Sequence, residues 1–393
     1  MNPRRRRLVF TYLTVVYFLA GASETYISPL FPLMRHDLHL QVSDQATLIA
    51  ALTISIAVGN IAGGWIGNRF ADRHAVRGAA ALLAAGSLLS GMSNSFVTIA
   101  VGQVLSGLGT GLFFAPGLAV VGRMYPTSLG RAIASYGLGY SCGLAAAAFA
   151  SGLGVDLWRW VFLATGALAL VFTICTPKLP EAEGSPSTGL VRAAVGYWRD
   201  RGYRAAMTVG VVAGICNYIV IGLTPEHFVG QHTSAKLIGA LVGIGRIASM
   251  VGKYVSGWLL DKIGGPATAQ LLMSLLVAFG LAELATPYPV GLWAVVPVVC
   301  TSAMLFPVSN AMVVAALPGR ATWGVGVYRA ALMVSSAICS GLSGLALHMF
   351  STTAVMIAAL GIPLLAVLVY ARTAHRPTGA VPAVRTDASE VVM

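Results

Sequence analysis

Apolar residues run in stretches of about 20 from Leu8 to Tyr370, each long enough to cross a bilayer as a helix. Polar positions fall in the short breaks between them. The pattern predicts helices over 8–33, 45–67, 78–97, 98–122, 130–153, 158–176, 204–225, 236–260, 267–285, 289–315, 322–346 and 350–371, twelve in all. It therefore predicts an all-α membrane protein. The first stretch follows Arg4-Arg5-Arg6-Arg7 but outlasts a signal core and lacks a small-residue cleavage pattern, so a retained first helix is expected.

The breaks repeat. Asn68-Arg69-Phe70-Ala71-Asp72-Arg73 and Gly257-Trp258-Leu259-Leu260-Asp261-Lys262 lie 189 residues apart, each ending one apolar stretch just before the next. Gly130-Arg131-Ala132 and Gly319-Arg320-Ala321 share that offset. Two coincidences at one offset indicate homologous halves of six helices each. The expected division is 1–176 for the first bundle, 177–203 for an interdomain linker, 204–371 for the second bundle and 372–393 for a disordered tail. Within the linker, Leu190 to Tyr203 is expected to form a short amphipathic helix at the inner membrane face with Trp198 at the interface.

Charge refines the picture. Charged residues make up only 10% of 393, the mean hydropathy is +0.79 and the net charge is +12. Such a basic balance raises the question of nucleic acid, and position decides against it. In or bordering alternate breaks and the two ends lie 19 of the 25 Lys and Arg, against Arg35, Arg159 and Lys236 in the opposite breaks. The asymmetry predicts both termini on the inner side of a cell (inner) membrane, with anionic lipid headgroups as the surface partner. The five cysteines fall inside predicted helices without metal-ligand spacing and read as buried apolar filler. No phosphate loop, zinc pair or nucleophile turn occurs, so neither an enzyme nor a cofactor or metal is expected. Gly109, Gly111, Gly139 and Gly143 read as helix-packing positions.

Twelve helices in two related halves with a charged break after the second helix resemble the major facilitator superfamily over residues 8–371. Its motif, approximately G-x-L-A-D-R-x-G-R-R, stands here as Asn68 to Arg77, with a second copy through Gly257, Asp261, Lys262 and Gly264. The resemblance implies two pseudo-symmetric six-helix bundles and a conformational latch at Asp72, Arg73, Asp261 and Lys262. Gly21-Ala22-Ser23-Glu24-Thr25-Tyr26 with Pro29 and Pro32 is similar to the first helix of proton-coupled drug, sugar and purine efflux members.

Four ionisable residues fall deep inside predicted helices: Glu24, Arg246, Lys253 and Arg329. Each costs about 2.5–3.5 kcal/mol at mid-membrane on insertion scales, so they are expected to face a protein-lined cavity. Arg246 and Lys253 are seven apart, on one helical face. Arg246 lies ten residues into its helix, roughly 15 Å deep and near the midplane. By the 189 offset Arg329 corresponds to Tyr140. Three cations against one carboxylate favour a small organic anion.

Glu24, the one acidic residue placed deep in a helix, is the candidate proton carrier, with a permanent ion pair to Arg246 as the alternative. The first-helix pattern recurs at Ala213 to Tyr218, adding Asn217 and Tyr218 as ligand contacts. Gln103, Tyr136, Tyr140 and Asn310 complete the candidate set, while Lys253 is also read as a gating residue. The expected function is proton-coupled, alternating-access transport of a carboxylate-type substrate by a monomer. Proton-driven efflux of a drug or metabolite and anion exchange are the alternatives.

Overall fold

The computed structural model describes residues 2–150, 157–180, 196–218, 223–224, 227–228, 235–286, 290–317, 321–347 and 349–374. Among these, regular structure is helical throughout. The first half contains α1 (Pro3–Thr25), α2 (Ile27–Leu38), α3 (Val42–Phe70), α4 (Asp72–Gly91), α5 (Phe96–Met124), α6 (Leu129–Ala150) and α7 (Leu157–Ile174). The second contains α8 (Arg201–Tyr218), α9 (Ala235–Ile263), α10 (Gly265–Ala285), α11 (Val290–Trp293), α12 (Val295–Ala316), α13 (Ala321–Ala346) and α14 (Thr352–Ala374). Lipid offers backbone groups no partners, so such apolar segments satisfy their own as helices. By length and apolar composition alone, six of the described stretches can span a bilayer: Pro3–Thr25, Thr47–Gly67, Phe96–Met124, Gly265–Ala285, Val290–Ala316 and Thr352–Val369. Ile54, Val171, Ile174, Leu365 and Leu368 are exposed where lipid lies, while Leu13, Phe113, Phe114, Met273 and Tyr328 fill a common core.

Departures from the expected spans have local causes. The Arg4–Arg7 arm is helical, because Pro3 opens α1 and the Asn2 side chain accepts from the Arg4 amide at 3.0 Å. The expected first span breaks at Tyr26. Pro29 has no N–H to return to the Thr25 carbonyl, which ends α1 there. Pro297 likewise gives nothing back to Trp293, and the helix is divided at Ala294. α8 starts three residues early because the Asp200 carboxylate accepts from the Tyr203 amide at 2.8 Å. Residues 196–199 form a helical turn that Asp200 ends, whereas 181–195 of the expected linker, including the first part of its expected helix, Gly319-Arg320 and the tail beyond 374 lie outside the described residues. Only Cys216 is buried, and Cys142 and Cys175 are exposed, correcting the expectation of five buried cysteines; in lipid an exposed thiol needs no apolar cover.

Glycines set how closely helices approach. An added Cβ at Gly109 would lie 2.6 Å from the Leu83 amide nitrogen and one at Gly139 2.7 Å from the Thr14 carbonyl oxygen, while Gly111 and Gly143 press on Ile56 and Phe18. Contacts between the halves cluster at the end carrying Arg4–Arg7, where α3 meets α13 at Gly64 and Gly326, and α6 meets α9 at Gly130 and Gly257. This end of the molecule is closed.

A side chain at Gly257 would therefore prop it open, since its Cβ would sit 2.5 Å from the Gly130 carbonyl oxygen and 2.6 Å from Ala134 Cβ. Gly137 lines the central cavity and has no atom within 4 Å of an added Cβ, so it accepts a reporter cysteine. In a cysteine-free background, labelling of Gly137→Cys from the Arg-rich side is expected to rise severalfold when Gly257→Val is added. Unchanged labelling would contradict a closed Gly130–Gly257 contact.

Candidate functional site

A cavity of about 710 Å³ lies between the halves, lined from α1, α5 and α6 on one side and α9, α12 and α13 on the other. Glu24, Tyr136, Tyr140, Arg246, Lys253, Asn310 and Arg329 all line it. Close approach of α1 to α6 builds its acidic corner. At Gly21 an added Cβ would lie 2.5 Å from the Tyr140 carbonyl oxygen, and this approach brings the Tyr140 hydroxyl to Glu24, to which it donates at 2.5 Å. The carboxylate's partner is thus a phenol one helix away, where the ion pair with Arg246 had been the alternative.

Arg329 is 5% exposed, and its guanidinium lies 3.7 Å from the centroid of the Phe114 ring, a cation–π contact in a dry setting. Among the described residues its Nε has no hydrogen-bond partner, nor has Asn310 Oδ1. Beside Arg329, Tyr328 bonds Ser309 at 2.7 Å and fixes α13 to α12. Lys253 Nζ donates to Ser141 Oγ on α6, so it bridges the halves in the cavity wall. Arg246, two helical turns away on the same face, lines the cavity.

Sequence reasoning missed the centre of the aromatic wall. Tyr17 stacks on Tyr136 at 4.3 Å and on Tyr140 at 4.9 Å and meets Phe114 edge-on at 5.0 Å. Its signal was its spacing, seven residues before Glu24 and so on the same helical face. Gln103 is corrected: it lies outside the cavity wall, fully buried between α5 and α4, with Nε2 donating to Ser90 Oγ at 3.0 Å. Gly86 and Gly102 bring α4 against α5 and enclose it. The side chains of Asn217 and Tyr218 lie outside the described residues.

Glu24, itself half-buried, is also not the sole carboxyl inside a helix. Glu283, two residues from the expected end of its helix, is 1% exposed and accepts from Thr224 Oγ1 at 2.8 Å. Thr224, on the neighbouring stretch 223–224, helps remove it from solvent.

The four latch candidates separate into two pairs. Asp72 is buried, pairs with Arg123 and accepts from Thr322 Oγ1 at 3.1 Å, joining α4 to the start of α13. Asp261 accepts from the Gly130 amide at 2.7 Å, the Arg131 amide at 3.1 Å and Arg131 Nε at 3.2 Å, joining α9 to the start of α6. Each carboxylate thus reaches a helix start in the opposite half, Asp261 through backbone amides and Asp72 through the Thr322 hydroxyl. Arg73 and Lys262 do not contact their neighbouring Asp. Adjacent helical residues face different ways, so Arg73 reaches the Thr176 carbonyl at 3.5 Å and Lys262 lies over Trp258 at 4.8 Å.

The family model described as Major Facilitator Superfamily matches residues 13–322. The chain belongs to this superfamily. Within it, an uncharacterized MFS-type transporter of Mycobacterium tuberculosis is 23% identical over 296 residues, covering 74% of this chain and 42% of the relative. Monocarboxylate transporter 13 of Bos taurus is 29% identical over 238 residues, covering 56% and 54%. The chain thus spans about half the length of these curated relatives. Among solved structures, the human organic anion transporter MFSD10 superposes with a TM-score of 0.77 at 16% identity, covering 94% of this chain and all of that one. The E. coli fucose:proton symporter FucP gives 0.77 at 14% identity, covering 94% and 98%. Both likenesses show the major facilitator fold. The protein is accordingly a multi-pass membrane protein of this superfamily.

Unequal costs are expected for the two ends of the Asp72 contact. Thr322→Val deletes one hydrogen bond worth about 0.5–1.5 kcal/mol. Asp72→Asn also strands Arg123, at about 3 kcal/mol, the lower end for breaking a buried pair because Arg123 keeps some solvent. Melting temperature in detergent should fall more for Asp72→Asn, and the reverse order would contradict the arrangement.

Proposed function

We propose that this transporter couples a proton to the movement of a small carboxylate-type anion through one central site. The observation that carries this reading is the placement of a phenol-bonded carboxylate, Glu24, in the same cavity as Arg246, Lys253 and Arg329. The cations all come from the second half and Glu24 from the first.

Charge balance supplies the coupling. While the site is empty, the cations oppose protonation of Glu24, and an arriving anion offsets them. Proton and anion then each favour the other's binding, which is a coupling free energy in the thermodynamic sense. Tyr140 holds the Glu24 carboxylate in place when charged, and on protonation its hydroxyl is released to bond elsewhere. Alternating access follows from rocking of the halves about the site. The Asp72–Thr322 and Asp261–α6 contacts act as latches of the closed end, Lys253 gates the cavity, and Arg329, Arg246, Tyr140, Tyr136 and Asn310 form the ligand shell.

In liposomes under an imposed pH gradient, uptake of small carboxylates by wild type is expected to follow the gradient. Glu24→Gln should keep carboxylate exchange yet lose its pH dependence, while Arg246→Ala and Arg329→Ala should each lower uptake at least tenfold. Extrusion of cationic dyes that survives Arg246→Ala, with no carboxylate uptake, would replace this reading with proton-driven efflux. Carboxylate exchange indifferent to pH in wild type would replace it with anion exchange.

A further inference from the structure

The cavity is larger and more aromatic than a short hydrophilic acid needs. Its volume of about 710 Å³ falls within the range of about 300–1,000 Å³ of sites that enclose drug-sized ligands. At on the order of 30 Å³ per heavy atom, the share of one water molecule, an acid of six heavy atoms fills roughly a quarter of it. The remaining wall offers little to a polyhydroxylated ligand. Leu118, Ile133, Leu144, Met250, Leu332 and Met333 carry no strong hydrogen-bonding group.

The polar and aromatic parts of the wall are joined through one ring. Phe114 lies under the Arg329 guanidinium at 3.7 Å, meets Tyr17 edge-on at 5.0 Å and Tyr140 at 5.8 Å. Tyr17 in turn stacks between Tyr136 and Tyr140, so the rings form a continuous surface leading away from the cation. Stacking on Phe114 occupies a face of the guanidinium and leaves its edge, where the N–H groups point, for a ligand. Nε on that edge is a buried donor with no partner among the described residues, a condition that a ligand oxygen relieves. On the second-half side Phe306, only partly buried, lines the same space.

From this arrangement, and resting on the anion reading above, we infer that the substrate is an aromatic carboxylate. Its carboxylate sits at Arg329, and its flat body lies along the Tyr17–Tyr136–Tyr140 rings with Phe306 opposite. Ring–ring contacts prefer offset or edge-on geometry at 4.5–7 Å, and the wall presents both. The inference separates the substrate from short acids such as lactate and from neutral sugars.

Binding to the purified full-length chain in detergent can be read by isothermal titration calorimetry. The probes are indole-3-acetate, benzoate, the neutral isostere indole-3-acetamide, and lactate. At least one aromatic acid is expected to bind tenfold or more tightly than both lactate and the amide. Phe306→Ala should weaken that acid roughly three- to tenfold, the loss of one aromatic pair, and Arg329→Lys should weaken it more by removing the planar fork. Phe306→Leu, close in volume, replaces Phe306→Ala if the latter melts early. Lactate binding as tightly as both aromatic acids would overturn the aromatic inference and leave the anion reading standing. Equal binding of amide and acid would overturn both, and so would the absence of binding by every probe.

Discussion

Lipid gives a polar group nothing to bond, so each charge within the membrane must be answered inside the protein. Much of this architecture is that constraint worked out residue by residue. Asp72 is answered by Arg123 and Thr322, Asp261 by the first amides of α6, and Glu24 by Tyr140. These partners lie on different helices, and several lie in the opposite half. Satisfying the charges therefore also dictates which helices must meet. Glycines at Gly21, Gly64, Gly130, Gly257 and Gly326 make the meetings close enough.

The repeat is symmetric at the closed end and asymmetric in the cavity. Asp72 and Asp261, 189 residues apart, each bond a helix start across the interface, at α13 through a hydroxyl and at α6 through amides. The same offset pairs Lys253 with Gly64 and Gly326 with Gly137. One interface consequently closes by glycine on glycine, and its counterpart carries an ammonium bonded to Ser141. Arg329 corresponds to Tyr140, so a guanidinium faces the cavity from one half and a phenol from the other. Duplication supplied the frame, and divergence at a few lining positions made the site polar in one direction.

What was legible in the sequence follows from what each signal measures. Apolar run length located the helices, because spanning a bilayer demands it, and the costly charges located the cavity. Arg246, Lys253, Arg329 and Glu24 all line it. Gln103 misled because an amide in an apolar stretch signals only that a partner exists, and Ser90 on the adjacent helix is that partner. Tyr17 and Phe114 were passed over for the converse reason: aromatic rings are inexpensive in lipid, so their presence carries no warning of function, and only the spacing of Tyr17 from Glu24 pointed to it. Glu283 was overlooked because its burial depends on a neighbouring segment, which no periodicity along its own helix reports.

The strengths of these contacts suit a molecule that must open. Each hydrogen bond across the closed end contributes about 0.5–1.5 kcal/mol net, and those of Asp72 and Asp261 sum to only a few kcal/mol. A ligand shifts such an equilibrium by its difference in affinity for the two states, and about 5.5 kcal/mol carries a population from 1:99 to 99:1. Contacts of this size hold the closed end firmly in the empty protein yet stay within reach of a bound anion and proton. A fully desolvated ion-pair network there would exceed that reach. The interface is instead made of helix-start amides, hydroxyls, apposed glycines and one half-exposed ion pair between Arg131 and Asp261. The one full ion pair of Asp72 lies with Arg123 within the first half, where rocking leaves it intact.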